Sequence, residues 1–166
     1  VVGVVGTAFG CPYEGAMPVE RVLGILDAYA QNGIELAYFA DTTGMADPRS
    51  IAAVVEPAMR RFPQMRLGLH LHNTRGLGLA NALAGLDEGI TTLDSSLGGL
   101  GGCPYAPGAS GNLVTEDLVV MLNSMGLETG IDLEKLLAVR SILAEALPQE
   151  PLYGFTPDAG PMLDYA

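Results

Sequence analysis

Apolar positions along the chain alternate between two rhythms. Val1-Val2-Gly3-Val4-Val5-Gly6-Thr7-Ala8-Phe9 is short, β-branched and not alternating, as expected for a strand buried on both faces of a parallel sheet. A helix is predicted from about Pro18, with Val19, Val22, Leu23, Leu26 and Ala30 at helical spacing before Gly33. Ile34 to Ala40 reads as a second strand. Asp47-Pro48 then starts a helix carrying Ile51, Val54, Val55, Met59 and Phe62, with Pro57 predicting a kink and Pro63 the end. Arg66 to His72 is a third strand, followed by a helix through Leu79, Leu83 and Leu86 to Gly89. Thr91 to Leu97 is the fourth. After a Gly-rich loop, Thr115 is placed to cap a helix with Leu118, Val119 and Leu122, and Asp132 another with Leu133, Leu136, Leu137, Arg140 and Leu143. Residues 148–166 hold Pro148, Pro151, Pro157 and Pro161 with several aromatics, and are expected to be an irregular tail lying against something.

Four strands alternating with helices imply a parallel α/β sheet with right-handed crossovers. Half of an eight-stranded barrel fits that count, and on periodicity alone so does a doubly wound open sheet. Either half-structure would leave two open strand edges, an association hazard, so further strands or a partner supplying them are expected, as is a homo-oligomer. The apolar run begins at Val1 with no initiator methionine or helix cap. That start reads as a cut through a strand, with sequence upstream absent.

The composition narrows the function. With 166 residues, 49% of them apolar, the chain has material for one domain with a core. Eight basic against 19 acidic residues give a net charge of −11. Such a charge opposes attraction to phosphate, so nucleic acid and anionic membrane are set aside as partners. No apolar stretch approaches the roughly 20 residues of a membrane helix. Two cysteines, Cys11 and Cys103, are too few for a disulfide framework and read as reduced thiols of a cytoplasmic protein.

Chemistry concentrates at two places. His70-Leu71-His72-Asn73 ends the third strand and holds both histidines of the chain. Side chains two apart on a strand point the same way, about 6 to 7 Å apart, so the imidazoles can converge on one divalent ion. The alternative is a pair of histidines that only hydrogen-bond in a polar strand mouth. The second place is the run from Gly98 to Asn112, with Cys103 in it. Its glycines permit positive φ and close approach of backbone to a ligand. It reads as a mobile active-site loop with a thiol for acid–base work, or as a connector with an incidental cysteine. Asp41 ahead of Thr42-Thr43-Gly44 fits a turn cap, and Glu116 an ordinary helix N-terminus.

Four stretches are similar, in order and spacing, to the 3-hydroxy-3-methylglutaryl-CoA lyase family: Gly10-Cys11-Pro12-Tyr13-Glu14-Gly15; Ala40-Asp41-Thr42-Thr43-Gly44; Gly68-Leu69-His70-Leu71-His72-Asn73-Thr74; and Asp94-Ser95-Ser96 through Gly111-Asn112-Leu113-Val114-Thr115-Glu116-Asp117-Leu118. The resemblance runs to about Leu147. It implies a (β/α)8 TIM barrel of which residues 1–147 are the C-terminal half, strands five to eight, with 148–166 as the tail. Barrel active sites lie at the C-terminal strand ends, where Cys11, Asp41, His70, His72 and Cys103 all fall.

By position, the resemblance implies His70, His72 and the Asn112 side-chain oxygen as ligands of a divalent metal, magnesium or manganese. Cys103, His70, Asp41 and Glu116 are its catalytic set, Cys103 as acid or base on the lid and Glu116 supporting loop and ligands. A further ligand, an aspartate beside an arginine on the first strand, belongs to no motif present here. The activity implied is metal-dependent retro-Claisen cleavage of 3-hydroxy-3-methylglutaryl-CoA, or a related 3-hydroxyacyl-CoA, to acetyl-CoA and acetoacetate. Two rivals stand beside it: a condensing enzyme joining acetyl-CoA to a 2-oxo acid, against which the Cys103 loop argues, and an inactive half-barrel. The missing half of the barrel is an expected partner, and the chain alone is expected not to turn over.

Overall fold

The structure is a computed structural model that describes residues 1–102 and 111–160. Four strands, β1 (Gly3–Val5), β2 (Leu36–Asp41), β3 (Arg66–Leu71) and β4 (Thr92–Asp94), form one parallel sheet in the order β1-β2-β3-β4. Helices α1 (Val19–Gln31), α2 (Pro48–Arg61) and α3 (Gly78–Asp87) make the crossovers, and α4 (Thr115–Ser124), α5 (Leu133–Ala146) and the one-turn α6 (Thr156–Ala159) follow β4. Sequential order of parallel strands is the arrangement of a barrel wall rather than of a doubly wound sheet, which reverses at a switch point.

The register decides which side of the sheet each side chain takes. Val5, Phe39 and Leu69, in register, face the helices with Ala37, Leu67 and Leu71 and are buried. The other side carries Val4, Tyr38, Gly68, Thr92 at one level and Ala40, His70, Asp94 at the next. Most of that side is only partly covered, Val4 being 54% exposed.

The second helix starts as its sequence predicts: Asp47 accepts from the backbone N–H groups of Arg49 and Ser50, and Ser50 closes a capping box. It continues through Pro57. Elsewhere the structure corrects the sequence reading. The first strand is three residues long because Thr7 takes a positive φ of 51°, and its N–H turns to Thr42 Oγ1 at 3.0 Å. The fourth ends at Asp94, since Leu97–Gly99 forms a 3-10 turn with Gly98 at φ 61°. Val114, not Thr115, caps α4, and the Thr115 hydroxyl donates instead to Ser95 Oγ at 2.9 Å.

The helix read through Leu79, Leu83 and Leu86 forms as α3, with Gly78, Asn81, Ala82 and Gly85 buried, Leu79 packed against the core and Leu83 38% exposed. A Cβ on Gly85 would lie 2.3 Å from Leu69 Cδ1. The small side of the helix thus lets its backbone settle directly onto the sheet. The tail is less irregular than its prolines suggest: Tyr153 N–H donates to Gly98 O at 2.8 Å, and the Asp117 carboxylate accepts from Phe155 and Thr156 N–H ahead of α6.

Candidate active site

Strand geometry brings the two histidines together. They lie on the same side of β3, with ring centroids 5.3 Å apart and planes at 61°. The chain beyond the Gly-rich loop then returns beside them. His72 and Asn112 form an antiparallel bridge, held by Asn73 N–H on Gly111 O at 3.1 Å and Leu113 N–H on Leu71 O at 2.9 Å. Residues opposed in this way have neighbouring side chains on one side of the pleat. Close approach demands glycine at the turn: Gly111 has φ 118°, and a Cβ there would lie 2.5 Å from Gly99 O.

The Asn112 amide is oriented by its own loop. Its Nδ2 donates to Leu100 O at 2.6 Å, and its Oδ1 is buried without a partner. The Nδ1 of His72, a residue only 5% exposed, is likewise buried and unpartnered. Burial, then the neighbouring His70, lowers the His72 pKa and favours the neutral imidazole. Buried polar atoms are nearly always satisfied. Two orphaned ones on opposed residues, with a second imidazole alongside, form a donor set of neutral nitrogen and amide oxygen that suits a divalent cation. Among the described residues no group of three or more His, Cys, Asp or Glu comes together, so Asn112 is needed to complete even a three-ligand set.

His70 meets β4. Its Nδ1 lies 3.3 Å from Asp94 Oδ2, the two residues being in register. Tyr38 faces the same carboxylate, and its phenol pKa is raised by burial first and by Asp94 second. Neither partner was singled out in the sequence.

Asp41 is placed differently from the imidazoles. It pairs with Leu71, on the helix-facing side of the sheet, and its Oδ1 accepts from Met45 and Ala46 N–H at 2.8 and 3.1 Å. It therefore holds the β2–α2 turn. Its Oδ2 is buried without a partner, and burial raises its pKa above the usual carboxylate range. Arg75 braces the same turn through Nη1, which donates to Thr43 O and Gly44 O, both at 2.8 Å.

Glu116 lies under the root of the Gly-rich loop. Wholly buried, it accepts Gly98 N–H on both oxygens, at 3.2 and 3.0 Å, and Arg140 Nη1 at 2.6 Å. Cys103 lies outside the described residues. Cys11 sits in a tight turn, exchanging two 2.8 Å backbone hydrogen bonds with Gly15. Asn112 also borders a cavity of about 470 Å³ walled by Thr74, Asp117, Tyr153 and Phe155.

The chain is similar to several known proteins. Hydroxymethylglutaryl-CoA lyase YngG of Bacillus subtilis is 47% identical over 141 residues, 85% of this chain and 47% of that protein. The (R)-citramalyl-CoA lyase of Chloroflexus aurantiacus is 45% identical over 158 residues, 95% of this chain and 50% of that protein. The solved HMG-CoA lyase of Acinetobacter baumannii, in complex with coenzyme A and 3-methylmalate, superposes with a TM-score of 0.90 at 43% identity, covering 99% of this chain and 54% of that one. The chain thus spans about half the length of these relatives. Its four βα units are one half of a TIM barrel of the kind those lyases form. A family model described as HMGL-like matches residues 4–143, and with the relatives' identity over most of its length it places the chain in the HMGL-like family.

Proposed function

We propose that the chain supplies the metal-binding half of a carbon–carbon lyase that cleaves 3-hydroxy-3-methylglutaryl-CoA to acetyl-CoA and acetoacetate. The convergence of His70, His72 and Asn112, with the Asn112 oxygen buried and unpartnered, carries this reading. Those three residues would hold magnesium or manganese. When bound, such an ion supplies Lewis acidity toward the hydroxyl and carboxylate oxygens of the substrate.

The remaining work is done by protein groups. A base takes the proton of the tertiary hydroxyl as the bond between C2 and C3 breaks. Acetoacetate leaves, and the acetyl-CoA enolate is protonated at carbon by Cys103 from the loop. Glu116 and Arg140 fix the root of that loop at Gly98. Asp41 shapes the neighbouring turn. An acidic chain is a poor host for an anionic thioester's phosphates, so backbone N–H groups or basic residues of the other half-barrel receive them. The cysteine count supports a cytoplasmic location. Exposed Val139 and Ile142 on α5 support self-association.

A second substrate has a specific observation behind it, the citramalyl-CoA lyase relative matching 95% of the chain. The test joins the chain to the N-terminal half of the B. subtilis relative and follows acetoacetate and pyruvate release from the two acyl-CoA esters with Mn²⁺. Acetoacetate release that disappears in His72→Ala supports the reading, and the unjoined chain should be inactive. Pyruvate alone transfers it to citramalyl-CoA. Mn²⁺ binding unchanged in His72→Ala and Asn112→Ala overturns it.

A further inference from the structure

Glycine is unusual in the middle of a buried strand, where it packs nothing and weakens the ladder. Gly68 has a visible reason. A Cβ there would lie 2.7 Å from Tyr38 Cε1 and 2.9 Å from Cδ1. The Tyr38 ring therefore lies across β3, over the one residue flat enough to admit it. From β2 it reaches toward β4, two strand spacings or about 10 Å away, where the Asp94 carboxylate acts on its phenol. Asp94 in turn stands in register with His70, its Oδ2 3.3 Å from the imidazole Nδ1. Three side chains from three adjacent strands thus form one line on the inner side of the sheet.

We propose that Asp94 and Tyr38 are positioning residues for His70. The Asp94 carboxylate receives the Nδ1–H, Tyr38 donates to the same carboxylate and holds it in place, and the imidazole is left with its Nε2 lone pair free. An imidazole bound through one nitrogen commonly donates from the other to a carboxylate, which fixes both tautomer and ring orientation. The line Tyr38–Asp94–His70 selects that tautomer in advance. Gly68 is part of the device because any side chain there would displace the ring. The assignment rests on the lyase reading only for what the free nitrogen is used for; the tautomer is a property of the chain itself.

The chain has only two histidines, so long-range proton–nitrogen NMR spectra of the 166-residue protein without metal, at a pH where imidazole is neutral, resolve both rings. His70 is expected in the Nδ1–H form, although free imidazole side chains in water favour Nε2–H. Asp94→Ala should move His70 to the Nε2–H form and leave His72 unchanged. Tyr38→Phe should move His70 part of the way. Titration with Mn²⁺ alone should show binding weakened about tenfold in Asp94→Ala, at the low end of the 10–100-fold typical of such outer partners, and by less in Tyr38→Phe. Wild-type His70 in the Nε2–H form overturns the proposal, whatever the variants do. So does an unchanged His70 spectrum in a folded Asp94→Ala. If that variant does not fold, Tyr38→Phe decides: an unmoved tautomer there removes Tyr38 from the device. Loss of acetoacetate release from the joined protein would sink the lyase reading without touching the tautomer, so the two failures are distinct.

Discussion

Replacing Glu116 by glutamine tests how the Gly-rich loop is held. The carboxylate is wholly buried and its partner Arg140 is 17% exposed at the side chain. It accepts one backbone N–H on both oxygens and one guanidinium N–H at 2.6 Å. Glutamine keeps the shape but offers one acceptor where two donors converge, and its own NH2 then faces a donor. A hydrogen bond to a charged group contributes about 1.5–3 kcal/mol, whereas breaking a fully buried pair costs about 3–5 kcal/mol. Arg140 retains some access to water, so the lower range applies, and a loss of about 2–3 kcal/mol is expected. Urea denaturation followed by circular dichroism should show the midpoint falling with an unchanged slope. Arg140→Met and the double variant close a cycle in which the coupling should exceed about 1 kcal/mol, the scale of contacting pairs. A loss under about 0.5 kcal/mol, the range of an ordinary surface change, or strict additivity with Arg140→Met, would refute the claim that this pair anchors the loop root.

Gly85→Ala should destabilise by about 1–2 kcal/mol in urea, because overpacking against Leu69 costs about 1–3 kcal/mol and the helix preference for alanine returns only about 0.5–1. Gly24→Ala, in α1 with nothing within 4 Å of the new Cβ, should instead gain about 0.5–1 kcal/mol, and equal effects at the two sites would discredit the packing explanation. Burial raises the Asp41 pKa in the folded chain, so its contribution is fully present below the unfolded carboxylate value of about 3.9 and is lost as pH rises through the folded value. Asp41→Asn should therefore flatten the stability profile in that window and be the more stable protein at neutral pH; a wild type whose advantage over the variant grows with rising pH there would contradict this. Asp117→Asn should raise amide hydrogen exchange at Phe155 and Thr156 by roughly tenfold, the equivalent of one charged hydrogen bond of about 1.5 kcal/mol, while exchange in β2 and β3 stays the same. Equal acceleration throughout would mean global destabilisation and not release of the tail.

What the sequence made legible follows from which interactions are local. The helix start at Asp47 was readable because its capping box lies within four residues, and the shared direction of His70 and His72 because strand alternation is a property of one strand. The α3 helix was readable from its leucines, but periodicity does not say which side meets the sheet. Here Gly85 lets the helix settle against Leu69 and Gly78 against Leu113, and both advantages depend on residues outside the helix. Asn112 came into view through family resemblance alone, since 40 residues of chain separate it from His72 and no spacing rule spans a Gly-rich loop. Tyr38 and Asp94 were harder still. Tyr38 sits in an apolar run with nothing to mark it, and β4 is only three residues long, too short for a pattern to show which side Asp94 takes. Their partnership depends on register across three strands, which the length and docking of each intervening helix set. Gly68 was the one trace left in the sequence: a glycine inside an otherwise apolar strand signals that something must cross its surface, and in this sheet what crosses it is the ring that reaches the partner of a candidate metal ligand.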